Sequence, residues 1–152
     1  MATVKGSLSE SHDEGASSRV TRTLRILVVD DDRDAVLTLL TLLRDEGHDV
    51  RGLYRAKEVP AVVKEFDPDV VLLDIALPDG SGYALAEDIR RRSGSQRPML
   101  IALTGIYKRA PHDHLSRVVG CDHFLTKPFA IADLLRLIAP LTLPDGAPGP
   151  QP

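Results

Sequence analysis

From Leu24 onward the chain alternates, in five successive pairs, between a short run of branched apolar residues and a longer segment whose apolar residues recur at helical spacing. "LRILVV" reads as a strand. In "DAVLTLLTLLRDEG", which follows, Val36, Leu39, Leu40 and Leu43 share one helical face and Gly47 supplies a stop. "HDVRGL" is a weaker strand, and "KEVPAVVKEF" is a helix that tolerates Pro60 only in its first turn. The pattern continues with "DVVLLD" as a strand, "GYALAEDIRRR" as a helix, "PMLIALT" as a strand buried on both faces, and "KRAPHDHLSRVVG" as a helix. "HFLT" is a short strand and "AIADLLRLIA" a closing helix. Near-continuous apolar strands leave no solvent face, and helical connections let each strand run in the same direction. The pattern therefore specifies an α/β fold, a parallel sheet with helices on both faces.

That architecture decides where chemistry collects. In an open parallel sheet the ligand site lies beyond the carboxyl ends of the strands, where the strand order reverses. This chain ends its first strand with Asp30, Asp31 and Asp32, its third with Asp74, its fourth with Thr104 and its fifth with Lys127; the second offers nothing comparable. Singly, each has an ordinary explanation. Adjacent aspartates cap the next helix, Asp74 or Thr104 closes a turn, and a lone lysine is solvated. Together they point to one site, because carboxylates packed at one edge demand a cation or a proton. Oxygen-only ligands favour Mg²⁺ or Mn²⁺. A hydroxyl and an ammonium on neighbouring strands suit an anion held against that metal, and a phosphoryl group fits.

Composition narrows the alternatives. No apolar run approaches the roughly 20 residues of a membrane span, and the start "MATVKGSLSESHDEGASS" lacks the apolar core of a secretory signal, so a cytoplasmic protein is expected. A net charge of −3 without a basic stripe argues against direct binding of nucleic acid. The one cysteine, Cys121, excludes an internal disulfide framework and reads as a small buried hydrophobe. Arg90, Arg91 and Arg92 read as a solvated helix end, where cations suit the macrodipole. His112 and His114 do not share a helical face and are expected on the surface. Residues 1–23 and the Pro/Gly-rich 141–152 read as disordered tails around a single domain spanning 24–140.

"VVDDD", "VLLDIALPDGSG", "IALTG" and "FLTKPF", in this order and at these separations, resemble the receiver domains of response regulators, the phosphoacceptor modules of two-component signalling, from about Leu24 to Ala139. The resemblance implies a doubly wound, flavodoxin-like five-stranded sheet of order 2-1-3-4-5. It implies Asp74 as the phosphoacceptor, and Asp30 and Asp31, with Asp74 and the backbone carbonyl of Ala76, as ligands of Mg²⁺ or Mn²⁺. Thr104 and Lys127 match the phosphate-contacting pair, and Asp32, outside the acidic pair, is expected to cap the first helix. Pro128 stands where the family commonly has a cis peptide. Phe124 occupies the switch-aromatic position; having no hydroxyl to satisfy, it either switches or simply stays buried. Ala76 and Ile106 stand where polar side chains help orient hydrolytic water, so slow loss of phosphate is expected. The implied partners are a sensor histidine kinase or a histidine phosphotransfer protein, plus an unknown downstream protein. Too few residues follow Ala139 for an output domain, so the chain reads as a single-domain regulator or a receiver associated with a hybrid kinase; Met1 and the lack of a tag favour a complete protein.

Two competing readings remain. A haloacid-dehalogenase-like phosphatase would use Asp30 as nucleophile and Asp32 as general acid, but it leaves Asp74 and "LPDGSG" unexplained and lacks a second acidic pair after Lys127. A pseudo-receiver, an interaction module that is never phosphorylated, is opposed by the complete set of acidic, hydroxyl and lysine positions.

Overall fold

The computed structural model describes residues 21–93, 98–105 and 120–144. Five parallel strands form one sheet: β1 (Arg25–Val29), β2 (Asp49–Leu53), β3 (Val70–Asp74), β4 (Met99–Gly105) and β5 (His123–Lys127). Their order is β2-β1-β3-β4-β5, the doubly wound order. The described helices are α1 (Arg33–Asp45), α2 (Val59–Phe66), α3 (Gly82–Ser93) and α4 (Ile131–Ile138). The helix expected over "KRAPHDHLSRVVG", with His112 and His114, lies outside the described residues, as do Ile106 and most of both expected tails.

Alternation along the strands divides the core in two. Leu27, Val29, Val71, Leu73, Leu100 and Ala102 face one way and meet Val59 and Phe66 of α2 with Ala86 and Ile89 of α3. Ile26, Val28, Val70, Leu72, Ile101 and Leu103 face the other way, against Val36, Leu39 and Leu43 of α1 and Leu134 and Ile138 of α4. Every residue of β3 is buried, as a strand covered on both faces requires.

Local chemistry sets the element ends. The Asp32 carboxylate accepts from the amides of Asp34 (3.1 Å) and Ala35 (3.3 Å), capping α1 and contributing about 1 kcal/mol. At the other end Gly47 adopts φ +95°, and the amides of Gly47 and His48 donate to the carbonyls of Arg44 and Leu43. Pro60 lies in the first turn of α2, where it forfeits no intrahelical hydrogen bond.

One expectation needs correction. Arg90 is not solvated: its guanidinium is folded against the sheet edge and donates to the Gly120 carbonyl (3.2 Å) and the Asp122 carboxylate (2.8 Å), while Arg91 and Arg92 stay exposed beside Asp88. Gly120 has φ +84°, and the turn it allows presents that carbonyl to α3. Ala139–Thr142 forms a 3₁₀ turn, Leu141 packs on the α1/α4 side of the core, and the Thr142 carbonyl accepts from the Arg22 amide at 2.7 Å.

Candidate functional site

The strand ends deliver the acids to one place. Asp30 leaves β1 and Asp74 ends β3; the register pairs Val29 with Leu73, so the two residues that follow stand side by side. Asp30 is 1% exposed and Asp74 7%, whereas Asp31 is exposed, and ligand oxygens of all three lie within 4.8 Å of one another. Backbone amides hold the carboxylates: Asp32 N–H donates to Asp30 Oδ1 (3.0 Å) and Ala76 N–H to Asp74 Oδ1 (2.9 Å). Like charges this close repel, so the three carboxylates form a group that could hold a cation. The all-oxygen donor set fits a hard divalent ion such as Mg²⁺.

Lys127 supplies part of the compensation. It ends β5, opposite Gly105 of β4, and its Nζ donates to Asp30 Oδ2 at 2.5 Å and Asp74 Oδ2 at 3.4 Å. Burial raises the Asp30 pKa against the opposing pull of Lys127. For Lys127 burial works downward, but the Asp30 hydrogen bond and the two carboxylate charges outweigh it, so the ammonium is held charged above its ordinary value. The Lys127–Pro128 peptide is cis.

Thr104 is fully buried and one residue beyond Leu103, the partner of Asp74. Its Oγ1 donates to the Gly105 carbonyl at 3.4 Å; among the described residues it makes no hydrogen bond to Asp74 or Lys127. Thr104 shares its face of β4 with Ala102, and Ala102 is the register partner of Phe124. Phe124 is half-buried rather than enclosed, with its ring centroid 6.5 Å from that of Tyr83 and the planes at 38°. Ala76 begins a two-residue ladder, Ala76–Leu77 against Gly80–Ser81, that folds the β3–α3 connection back. Cys121 is buried, its thiol pushed up to about 11 chiefly by desolvation.

Three contributors escaped the sequence reading. The Asp79 carboxylate accepts from the amides of Ala56 (2.8 Å) and Lys57 (3.2 Å), tying the β3–α3 connection to the turn before α2. Those bonds, led by Ala56, hold its pKa below the usual carboxylate range. The only available signal was the "PDG" turn, since aspartate before glycine commonly accepts from backbone. Gly82 opens α3 so close to the acceptor strand that a Cβ would lie 2.3 Å from Ile75 Cα and 2.6 Å from the Asp74 carbonyl oxygen. The third is the Arg33 guanidinium, which lies 4.2 Å over the Tyr54 ring beside Asp31.

The family model for the response regulator receiver domain matches residues 26–139. A CheY-like response regulator receiver domain protein from Methanospirillum hungatei is 30% identical, with a TM-score of 0.71 over 78% of this chain and 92% of that one. A putative response regulator from Chloroflexus aurantiacus is 28% identical, with a TM-score of 0.68 over 78% and 97%. The BeF3-activated N-terminal receiver domain of Klebsiella pneumoniae RstA is 28% identical, with a TM-score of 0.67 over 76% and 95%. With the acids and the lysine gathered at the carboxyl edge of a 2-1-3-4-5 sheet, the match establishes that the chain belongs to the response regulator receiver domain family.

Proposed function

We propose that Asp74 accepts a phosphoryl group from a phosphohistidine on a sensor histidine kinase or histidine phosphotransfer protein. In this reading Asp30, Asp31, Asp74 and the Ala76 backbone carbonyl hold Mg²⁺ or Mn²⁺. The observation that carries it is the meeting of Asp30, Asp31, Asp74 and Lys127 at one sheet edge, with ligand oxygens within 4.8 Å and Nζ on two of the carboxylates. The same placement opposes phosphatase chemistry at Asp30: Asp74 belongs to the cluster, and Asp32 caps α1. A bound divalent ion would offset the charge of the carboxylates and the incoming phosphoryl oxygens.

The chain's own residues do the rest. An Asp74 carboxylate oxygen forms a bond to phosphorus as the phosphorus–nitrogen bond breaks, and the imidazole nitrogen keeps the electron pair. Lys127 Nζ, already 3.4 Å from Asp74 Oδ2, stabilises charge on the transferring group. The Thr104 hydroxyl, whose one hydrogen bond among the described residues is a 3.4 Å contact with Gly105, would turn toward the new phosphoryl oxygens. Its movement opens space on the face it shares with the Phe124 pairing, and Phe124, half-buried, shifts inward. The altered surface of β5 and α4 then engages a cytoplasmic downstream protein. Among the described residues no helix is long and apolar enough to cross a membrane. Ala76 and Ile106 offer hydrolytic water no polar side chain, so the phosphoryl group persists.

The test is incubation with acetyl phosphate and Mg²⁺, followed by intact-mass measurement and mapping, with Asp74→Asn alongside. Stoichiometric phosphate on Asp74, absent from the variant, is expected. Turnover through Asp30 would instead indicate a phosphatase, and no modification would indicate an interaction module.

A further inference from the structure

Beside the acidic cluster, on the β2 side, lies a recess of about 290 Å³ between the β1–α1, β2–α2 and β3–α3 connections. Asp31 lines both, so the recess begins one side chain away from the candidate acceptor. Its other charged walls are Arg33, Arg55, Lys57 and Asp79. The Asp79 carboxylate is committed to the amides of Ala56 and Lys57. Arg33, Arg55 and Lys57 make no ion pair with any described residue. One of these cations is held in place, since Arg33 stacks on Tyr54 at 4.2 Å; at Lys57 the backbone is anchored by Asp79 and the ammonium extends on its own stem. Arg55 also acts electrostatically on Asp79, and against the two carboxylates of the lining, Asp31 and Asp79, the three cations leave the recess with one net positive charge on a chain of net charge −3.

We infer that this recess is an anion subsite, receiving a second anionic group, phosphate or carboxylate, of a small acyl-phosphate donor whose phosphoryl group is transferred to Asp74. The inference rests on Asp74 being the acceptor. A donor with a short carbon chain between its two anionic groups would place one at the acidic cluster and the other among Arg33, Arg55 and Lys57. In the transfer, the Asp74 oxygen–phosphorus bond forms, the phosphorus–acyl oxygen bond breaks, and the leaving carboxylate takes the electron pair; no proton or further reactant is needed. The three cations are exposed, so each contributes modestly and discrimination arises from their combination.

The test compares 1,3-bisphosphoglycerate, which carries a second phosphate, with acetyl phosphate as donor to Asp74 at fixed Mg²⁺. We expect kcat/KM to favour the bisphosphate by about fivefold or more, through KM, and the preference to collapse toward unity in Arg33→Gln combined with Arg55→Gln and Lys57→Gln. No preference in the wild type, or one the variant retains, overturns the inference. A second arm is independent of phosphorylation. Inorganic pyrophosphate is titrated into the Asp74→Asn protein with chelator present, followed by amide resonances of Tyr54, Ala56 and Asp79, which the triple substitution leaves in place. Saturable shifts that the triple substitution removes are expected, and their absence overturns the subsite. Saturable shifts in a protein that neither donor phosphorylates would instead place the fault with Asp74 as acceptor.

Discussion

Replacing Lys127 by Met tests how the acidic site is held together without metal. Methionine keeps most of the apolar stem but removes the ammonium 2.5 Å from Asp30 and 3.4 Å from Asp74. Asp30, at 1% exposure, would keep only its amide contact from Asp32 and face the Asp74 charge with no cation. Stripping one partner from a fully buried pair costs about 3–5 kcal/mol. The Lys127 side chain is 30% exposed, so solvent screening reduces this to about 2–3 kcal/mol near neutral pH. The sign with pH follows from the Asp30 carboxyl, whose folded pKa already stands above its unfolded value because of burial and rises further without Lys127. A raised acid favours the fold at low pH, and that advantage is lost as pH rises through the folded value. The stability gap between wild type and variant should therefore narrow as pH falls and Asp30 becomes protonated, and widen toward pH 7.5. Urea denaturation in chelator at several pH values measures it. A gap that is absent at pH 7.5, or constant across the range, would refute the claim that Lys127 compensates buried carboxylates.

Asp31→Asn removes one charge from the cluster, so in chelator the protein should melt slightly higher, by up to about 1 kcal/mol, while Mg²⁺ binding weakens; a clear fall in melting temperature would contradict the repulsion argument. Gly82→Ala forces a Cβ into the backbone of Ile75 and Asp74 and should cost more than about 2 kcal/mol in thermal melts, with slower phosphorylation; a neutral result would show that α3 can shift freely. Phosphoryl-Asp74, once the donor is removed, should decay more slowly in wild type than in Ala76→Asn or Ile106→Glu, and equal decay by intact mass would mean that the two apolar positions do not shield the site.

Much of this protein is written locally in its sequence. The α1 cap at Asp32, the Gly47 stop and the place of Pro60 depend on neighbours within about four residues, which is the range over which helical hydrogen bonding acts. The alternation of apolar strands and amphipathic helices needs only periodicity, and a parallel sheet then obliges Asp30, Asp74, Thr104 and Lys127 to emerge at one edge. Sequence also marked residues that the described structure leaves apart: Thr104 reaches neither Asp74 nor Lys127 among the described hydrogen bonds. Contacts between distant segments were not legible. Lys127 meets Asp30 across 97 positions, Arg90 leaves solvent for the Gly120 carbonyl 30 positions on, and Asp79 takes the amides of Ala56 and Lys57. Nothing in a residue's neighbours announces such a partner, because the pairing follows from strand register and from how closely each helix approaches the sheet. Sequence thus determined the fold and the types of group at the carboxyl edge. Tertiary structure decided which charges touch, which are compensated and which remain open to a ligand, since those depend on distances of a few ångströms between elements that only packing brings together.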